Sequence, residues 1–205
     1  MTALLLVGGG GHCKSIIDVI ESSTHFTVRG IVQPRKNEGT SILGYPILGE
    51  DADLPELLSS GTDALITVGQ IKTPAIRKKL YDLMIHLQAN MPILVSDQSY
   101  VSRHSDLGKG TVVMHGAIVN AAASINVNTI INSMALIEHD VIIGAHCHVS
   151  TGARINGGVQ IGDGSFIGSG AIIHQGISIG TQCIISAGSV VSKDLPDNTL
   201  YRLPS

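Results

Sequence analysis

A strict six-residue period runs through the second half of this chain. From Val101 to Val191, every sixth residue is Val, Leu or Ile, over sixteen consecutive positions. Neither an α-helix, with its period of about 3.6 residues, nor a flat strand, with its simple alternation, repeats in this way. A hexapeptide repeat is typical of a parallel β-helix, in which short strands stack coil upon coil. The pattern therefore predicts a β-helix whose aliphatic residues point inward.

A second column of mostly small residues follows each aliphatic residue by four positions. We expect these residues to occupy the tight corners of the coils. Hydrophobic residues make up 43% of the chain but aromatic residues only 3%, which suits a narrow prism without room for large rings. Cys147 and Cys183 belong to this column two coils apart, about 10 Å at roughly 4.8 Å per coil. They are too distant to form a disulfide.

The first hundred residues lack the period of six and alternate between strand and helix patterns. The predicted strands are Ala3–Val7, Val28–Val32, Tyr45–Leu48, Ala64–Val68 and Ile93–Val95, and the predicted helices are Lys14–Ser22, Asp53–Ser59 and Thr73–Gln88. This alternation indicates a small parallel α/β domain of Rossmann-like order. We therefore predict two domains, residues 1–97 and residues 98–205.

Charge and composition exclude several classes of partner. The net charge is −3 and no basic run occurs, so we expect no nucleic acid partner. The apolar stretch at the N-terminus is too short to span a bilayer, and it lacks the basic start and cleavage site of a signal peptide. We expect a cytoplasmic protein that does not insert into membranes.

Four glycines and a histidine, Gly8 to His12, lie between the first predicted strand and helix. Such a turn presents backbone N–H groups to a phosphate or carboxylate. It is not a full dinucleotide fingerprint, because Lys14 stands where a third glycine is needed and Val32-Gln33-Pro34 has no acidic residue for a ribose. The sequence favours the phosphate or carboxylate of a smaller ligand, and a purely structural turn is the alternative.

His139 is the candidate general base. It lies between Glu138 and Asp140, two residues after the inward Ile137, so its ring is expected to project outward. A neighbouring carboxylate orients an imidazole and raises its basicity. One coil further on, Gly157 and its neighbour have no side chains, and we expect an open floor beside the ring for a thin ligand.

His148 lies half a coil from His139, so the two rings should not meet within one chain. Bare β-helix faces commonly associate as trimers, and the two histidines could meet across such an interface. The alternative is that both are exposed polar residues at coil corners. His146 and His148 also suggest zinc, but no third ligand has a suitable spacing, and we predict no metal.

Three segments carry a family resemblance: LLLVGGGGHCKSIIDVIE, ITVGQIKTPAIRKKLYD and IINSMALIEHDVIIGAHCHVSTGARINGGVQIGDGSFIGSGAII. With them, the chain resembles the bacterial sugar acyltransferases that include bacillosamine-pathway and perosamine N-acetyltransferases and sialic-acid O-acetyltransferase-type proteins. The resemblance implies a left-handed parallel β-helix, a homotrimer, and acetyl-CoA as acyl donor in a groove between coils.

The resemblance also implies roles for individual residues. His139 matches the catalytic base and Asp140 the acid that supports it. The implied acetyl-CoA contacts are His148, near the thioester carbonyl, and Gly157, Ser169 and Ala187, along the pantetheine arm. The implied substrate contacts are Gly11, His12, Gln33, Gly69, Gln70 and Asn132. Nucleotide-sugar members have acidic residues at the place of Gln33, and many have a longer tail than Leu200–Ser205 beside the coenzyme.

These observations predict an acetyl-CoA-dependent acetyltransferase acting on a precursor of a bacterial surface glycan. The expected reaction is N-acetylation of a nucleotide-linked 4-amino-4,6-dideoxy sugar, with His139 as general base. One alternative is O-acetylation of a sialic or other nonulosonic acid. A second alternative, from a different class, is a trimeric sugar-binding protein without catalytic activity.

Overall fold

The computed structural model describes residues 1–34, 39–58 and 61–202. Their contacts divide the chain into two compact units. The first contains Met1–Gly69 and Ile76–Pro92, and the second contains Gln70–Ala75 and the chain from Ile93 onward. The last residue of the predicted helix Asp53–Ser59 lies outside the described residues. No helix in the described ranges is long and apolar enough to cross a membrane.

The first unit is an α/β domain. Its elements are β1 (Thr2–Val7), α1 (Gly11–Glu21), β2 (Phe26–Val32), β3 (Ser41–Ile42), β4 (Tyr45–Gly49), a 3₁₀ turn (Asp51–Asp53), α2 (Leu54–Leu58), β5 (Asp63–Ile66) and α3 (Ala75–His86). The strands form one sheet in the order β3-β4-β2-β1-β5. All neighbouring strands are parallel except β3 and β4. The predicted Rossmann-like α/β class is confirmed.

The apolar pattern of the first unit explains this arrangement. Leu4 to Val7 of β1 are all buried, as expected for a central parallel strand that is covered on both faces. Helix α1 buries Ile16, Ile17 and Ile20, the face that the sequence predicts. The helix begins at Gly11, so the glycine turn leads directly into its first turn.

The second unit consists of very short strands, which begin every six residues from Leu94 to Val190, with one further strand that begins ten residues later. They are β6 (Leu94–Val95), β7 (Tyr100–Val101), β8 (Asp106–Leu107), β9 (Val112–Val113), β10 (Ile118–Val119), β11 (Ser124–Ile125), β12 (Ile130–Ile131), β13 (Leu136–Ile137), β14 (Ile142–Ile143), β15 (His148–Val149), β16 (Arg154–Ile155), β17 (Gln160–Ile161), β18 (Phe166–Ile167), β19 (Ile172–Ile173), β20 (Ser178–Ile179), β21 (Ile184–Ile185), β22 (Val190–Val191) and β23 (Leu200–Tyr201).

Three parallel sheets form the faces of this unit. Face 1 contains β6, β9, β12, β15, β18, β21 and β23; face 2 contains β7, β10, β13, β16, β19 and β22; face 3 contains β8, β11, β14, β17 and β20. Up to β22, each strand pairs with the next strand of its face 18 residues further on, as Val119 does with Ile137 and Ile137 with Ile155. Strand β21 pairs with β23 after 16 residues. The predicted left-handed parallel β-helix, with three repeats per coil, is confirmed.

The two predicted columns form the core of the β-helix. From Val113 to Val191 every aliphatic residue of the period is buried, with small residues such as Ala117 and Ala153 packed against them. Cys147 and Cys183 are buried free thiols, as predicted.

One corner column also carries a ladder of hydrogen bonds between coils. The Oγ1 atoms of Thr111 and Thr129 and the Oγ of Ser165 donate to carbonyl oxygens of the following turn at 2.9 to 3.0 Å. The thiols of Cys147 and Cys183 occupy the same position and donate at 3.2 Å. The hydroxyl groups of this column therefore find their hydrogen-bond acceptors in the following coil rather than in solvent.

Candidate active site

The imidazole of His139 is paired with the carboxylate of the next residue. His139 Nδ1 lies 2.8 Å from Asp140 Oδ2, with the two side chains 59% and 66% exposed. Asp140 has a φ of 60°, a left-handed conformation that aspartate tolerates better than most residues. Because an ionised carboxylate only accepts hydrogen bonds, Nδ1 carries the proton and Nε2 is the basic nitrogen. This is the arrangement that a general base needs.

The ring of His139 lies directly over Gly157, one coil away. A Cβ atom at Gly157 would lie 2.7 Å from Cε1 and 2.8 Å from Nε2 of the imidazole. The predicted open floor is therefore occupied by the ring at Gly157, while the space around a Cβ at Gly158 is open. Because Gly157 has no side chain, the imidazole of His139 fits into this space.

Glu138 does not take part in this pair. Its Oε2 accepts a 2.9 Å hydrogen bond from Asn120 Nδ2, in the preceding coil. Of the two acids that flank His139 in the sequence, only Asp140 orients its ring.

An open groove of about 620 Å³ runs beside the imidazole. Its walls are Glu138, His139, Asn156, Gly157, His174 and Gln175. These residues follow successive strands of face 2, and we call this line of residues edge 2. Three of these residues were not predicted from the sequence, namely Asn156, His174 and Gln175, although adding 18 and 36 to positions 138 and 139 identifies all three.

His148, Asn132 and Gln70 form a second cluster. His148 is 6% exposed, and its Nδ1 lies 2.6 Å from the carbonyl oxygen of Gln70. Its Nε2 lies 3.0 Å from Asn132 Nδ2, and its ring meets Phe166 edge-on at 5.3 Å. Gln70 itself is buried, and its Nε2 donates to Gly164 O at 3.1 Å.

Asn132, Ser169 and Ala187 lie along one line, which we call edge 1, because they follow strands β12, β18 and β21 of face 1. Ser169 Oγ is 3.0 Å from Ser150 Oγ. His139 and Gly157 lie on edge 2. Within one chain, the residues that the resemblance implies for acetyl-CoA are thus divided between two edges.

In the first unit, the glycine turn lies against the end of β5. Thr67 Oγ1 donates a 2.6 Å hydrogen bond to Gly8 O, and a Cβ at Gly69 would lie 3.5 Å from Cβ of His12. Gly11 is exposed at the first turn of α1, where no side chain caps the helix. The turn, His12 and Gly69 therefore come together.

Gln33, at the end of β2, is 5% exposed. Its side chain contacts Gly9, where a Cβ would lie 2.9 Å from Gln33 Cδ. A buried amide therefore stands beside the glycine turn, at the place where nucleotide-sugar members of the resembled family have an acidic residue.

Arg77 is a buried cation that was not predicted from the sequence. It is 1% exposed, and its Nη1 donates to the carbonyl oxygens of Val68 at 2.7 Å and Ile66 at 3.3 Å. Burial lowers the pKa of its guanidinium to about 9. The two residues that follow it, Lys78 and Lys79, are solvent-exposed. By residue type alone, the sequence does not distinguish the buried arginine from these exposed lysines.

The described ranges contain no group of three or more His, Cys, Asp or Glu residues that could hold a metal ion. His146, one of the two histidines considered for zinc, has its Nδ1 2.9 Å from Asn128 Nδ2. This contact occupies one ring nitrogen with a neighbouring amide.

Two family models match the chain. The PglD N-terminal domain matches residues 3–84, and the hexapeptide repeat of succinyl-transferase matches residues 158–193. No curated protein matches the sequence. Together with the β-helix, these matches define a hexapeptide-repeat acyltransferase.

Solved structures give the closer assignment. PerB from Caulobacter crescentus, solved with CoA and GDP-perosamine, is 33% identical with a TM-score of 0.89, over 96% of this chain and 92% of its own. The acetyltransferase domain of PglB from Neisseria gonorrhoeae FA1090 is 28% identical with a TM-score of 0.89, over 97% and 95%. The chain belongs to this family of PglD-like, hexapeptide-repeat sugar acetyltransferases.

Proposed function

We propose that this protein transfers the acetyl group of acetyl-CoA to the amino group of a nucleotide-linked 4-amino-4,6-dideoxy sugar. The observation that carries the proposal is the 2.8 Å contact between His139 Nδ1 and Asp140 Oδ2, which leaves Nε2 basic beside an open groove. PerB, solved with CoA and GDP-perosamine, supports the choice of an amino sugar as acceptor.

His139 acts as the general base of this reaction. Its Nε2 removes a proton from the acceptor amine while the amine nitrogen bonds to the thioester carbon. The carbon–sulfur bond then breaks, and the proton that Nε2 of His139 has taken up passes to the sulfur, so that CoA leaves as the thiol. The Asp140 carboxylate holds the ring and stabilises its cationic form, and proton transfer of this kind contributes about 10²–10⁴ in rate.

The active form is proposed to be a homotrimer that associates through face 2. The outward positions of this face include Tyr100, Ile118 and Val190, which are 58%, 39% and 47% exposed. Exposed apolar patches of this kind mark association sites. In such a trimer, edge 2 of each subunit lies beside edge 1 of the next subunit. One acyl-donor groove is then lined by His139 and Gly157 of one subunit and by Ser169 and Ala187 of the next.

The nucleotide-sugar is assigned to the first unit. The first turn of α1, at Gly11 and His12, offers backbone N–H groups to its phosphates, and Gln33 and Gly69 lie beside that turn. The backbone of Gln70, rather than its buried side chain, is assigned to substrate binding. Asn132 is assigned to the acceptor sugar, and His148 to the neighbourhood of the thioester.

Acetyl transfer is measured by free-thiol release from acetyl-CoA with GDP-, UDP- and TDP-linked 4-amino sugars as acceptors. We expect His139→Ala to lower kcat by about 10²–10⁴, without loss of folding or CoA binding. His86→Ala, at an exposed position in the last turn of α3, is the matched control. Near-normal turnover by His139→Ala would refute the general base.

O-acetylation of a nonulosonic acid is the second candidate. The observation that favours it is the absence of a carboxylate in Val32-Gln33-Pro34, where nucleotide-sugar members of the resembled family carry acidic residues. Thiol release with a sialic acid, and none with the amino sugars, would select this activity. A failure of the trimer to bind CoA in calorimetry would instead favour a sugar-binding protein without catalysis.

A further inference from the structure

The tautomer of His148 follows from its surroundings. Nδ1 lies 2.6 Å from the carbonyl oxygen of Gln70, and a carbonyl oxygen only accepts hydrogen bonds. Nδ1 must therefore carry a proton. In a neutral ring, Nε2 is then an acceptor, and it faces Asn132 Nδ2 at 3.0 Å.

The amide of Asn132 has one orientation that satisfies its neighbours. The backbone N–H of Ser133 donates to Asn132 Oδ1 at 2.8 Å. Exchanging the oxygen and nitrogen of the amide would set this N–H against an NH₂ group. Nδ2 therefore faces His148 and donates to Nε2, which is consistent with the neutral ring and not with an imidazolium.

We infer that His148 is a positioning residue that acts through Asn132. The inference rests on the proposed function, which supplies the identity of the substrates. Both ring nitrogens of His148 are engaged by Gln70 and Asn132, so the ring has no N–H to give to a thioester. Asn132 keeps a second Nδ2–H, which has no acceptor among the described residues, and its side chain is half-buried. This N–H is the donor that edge 1 presents to an oxygen of the bound substrates.

The arrangement makes a continuous chain of three groups. The Gln70 carbonyl holds the His148 ring, and the edge-on contact with Phe166, at an interplanar angle of 69°, restrains the ring plane. His148 in turn holds the Asn132 amide. A donor that is fixed before the substrate binds avoids the cost of ordering it during the reaction. The role differs from direct contact with the thioester, which the family resemblance suggests.

A double-mutant cycle tests this inference. The variants are His148→Ala, Asn132→Ala and the double variant, measured by kcat/KM for acetyl transfer to the amino sugar. If His148 acts only through Asn132, each single change lowers kcat/KM by about tenfold and the double change lowers it no further. Additive losses, about 100-fold for the double variant, would mean that His148 contacts the substrates itself.

Conservative variants keep the test valid if alanine damages the buried cluster. His148→Gln offers an amide oxygen near the place of Nε2, and His148→Asn offers an amide nitrogen near the place of Nδ1. The inference predicts more activity from the glutamine variant than from the asparagine variant, at equal melting temperature. Equal activities, or the reverse order, would overturn it.

Nitrogen-15 NMR of the histidine rings gives a readout that needs no activity. We expect a protonated Nδ1 and a bare Nε2 for His148, assigned by the signal lost in His148→Gln, and a shift of the Nε2 signal in Asn132→Ala. The opposite tautomer, or two protonated nitrogens, would overturn the inference. If the wild type acetylates no acceptor, the proposed function fails, while the NMR result still decides the state of His148.

Discussion

The guanidinium Nη1 of Arg77 donates a 2.7 Å hydrogen bond to the carbonyl oxygen of Val68. The same atom reaches Ile66 O, so Arg77 holds the residues on both sides of Thr67. Thr67 Oγ1 in turn donates to Gly8 O at 2.6 Å. A buried cation on α3 therefore fixes the end of β5, which is hydrogen-bonded to the glycine turn.

Replacing Arg77 should weaken nucleotide-sugar binding selectively. Arg77→Met removes the donor from two carbonyls, and loss of a hydrogen bond to a charged group amounts to about 1.5–3 kcal/mol. We expect the KM for the nucleotide-sugar to rise about tenfold while the KM for acetyl-CoA stays unchanged. Lys79→Met, on the exposed face of the same helix, is the control. Equal rises in both KM values would indicate a general loss of structure instead.

The charge of Asp140 should matter more than its shape. Asparagine tolerates the same φ of 60° and retains an acceptor oxygen, but it does not stabilise the imidazolium. We expect Asp140→Asn to lower kcat by roughly tenfold or more, and by less than His139→Ala. The control variant is Asp106→Asn, which removes an exposed carboxylate on face 3. If both variants keep wild-type kcat, Asp140 does not assist the base.

A methyl group at Gly157 should displace the His139 ring without unfolding the coil. A Cβ there would lie 2.7 Å from Cε1, and the end of a side chain moves more easily than the backbone. Misplacement of a reacting group by about 1 Å costs on the order of 100-fold in rate. We therefore expect Gly157→Ala to lose about that factor in kcat at an unchanged melting temperature. Unimpaired turnover would show that the ring position is not critical.

Two serines in the wall of the β-helix should respond in opposite ways to alanine. Ser189 Oγ is buried without a hydrogen-bond partner among the described residues, at a position where earlier coils have Ala153 and Ala171. Ser165 Oγ donates to Gly180 O at 2.9 Å and accepts from Cys183 N at 3.0 Å. We expect Ser189→Ala to raise the free energy of unfolding by about 1 kcal/mol, and Ser165→Ala to lower it by about 1–3 kcal/mol. Denaturant titration measures both; a destabilised Ser189→Ala would contradict the assignment.

The six-residue period alone was enough to predict the β-helix, its inward column and its free cysteines. This is because each inward position meets the same surroundings one coil later, so the packing requirement repeats in the sequence. The outward position of His139 follows from the same register. A contact between His139 and a flanking carboxylate was also foreseeable, because a neighbour in sequence lies close in space, but only the structure selects Asp140 rather than Glu138.

The tertiary structure alone decided which side chains separated by many residues meet. Asn132 and His148 are 16 residues apart, which the period does not single out, and Gln70 reaches His148 from 78 residues away. Arg77 is buried although its neighbours in sequence are exposed lysines. Hydrogen bonds of this kind depend on side-chain rotamers and on local backbone direction. A repeat determines where a residue lies on the coil, but it does not determine which partner its polar atoms find.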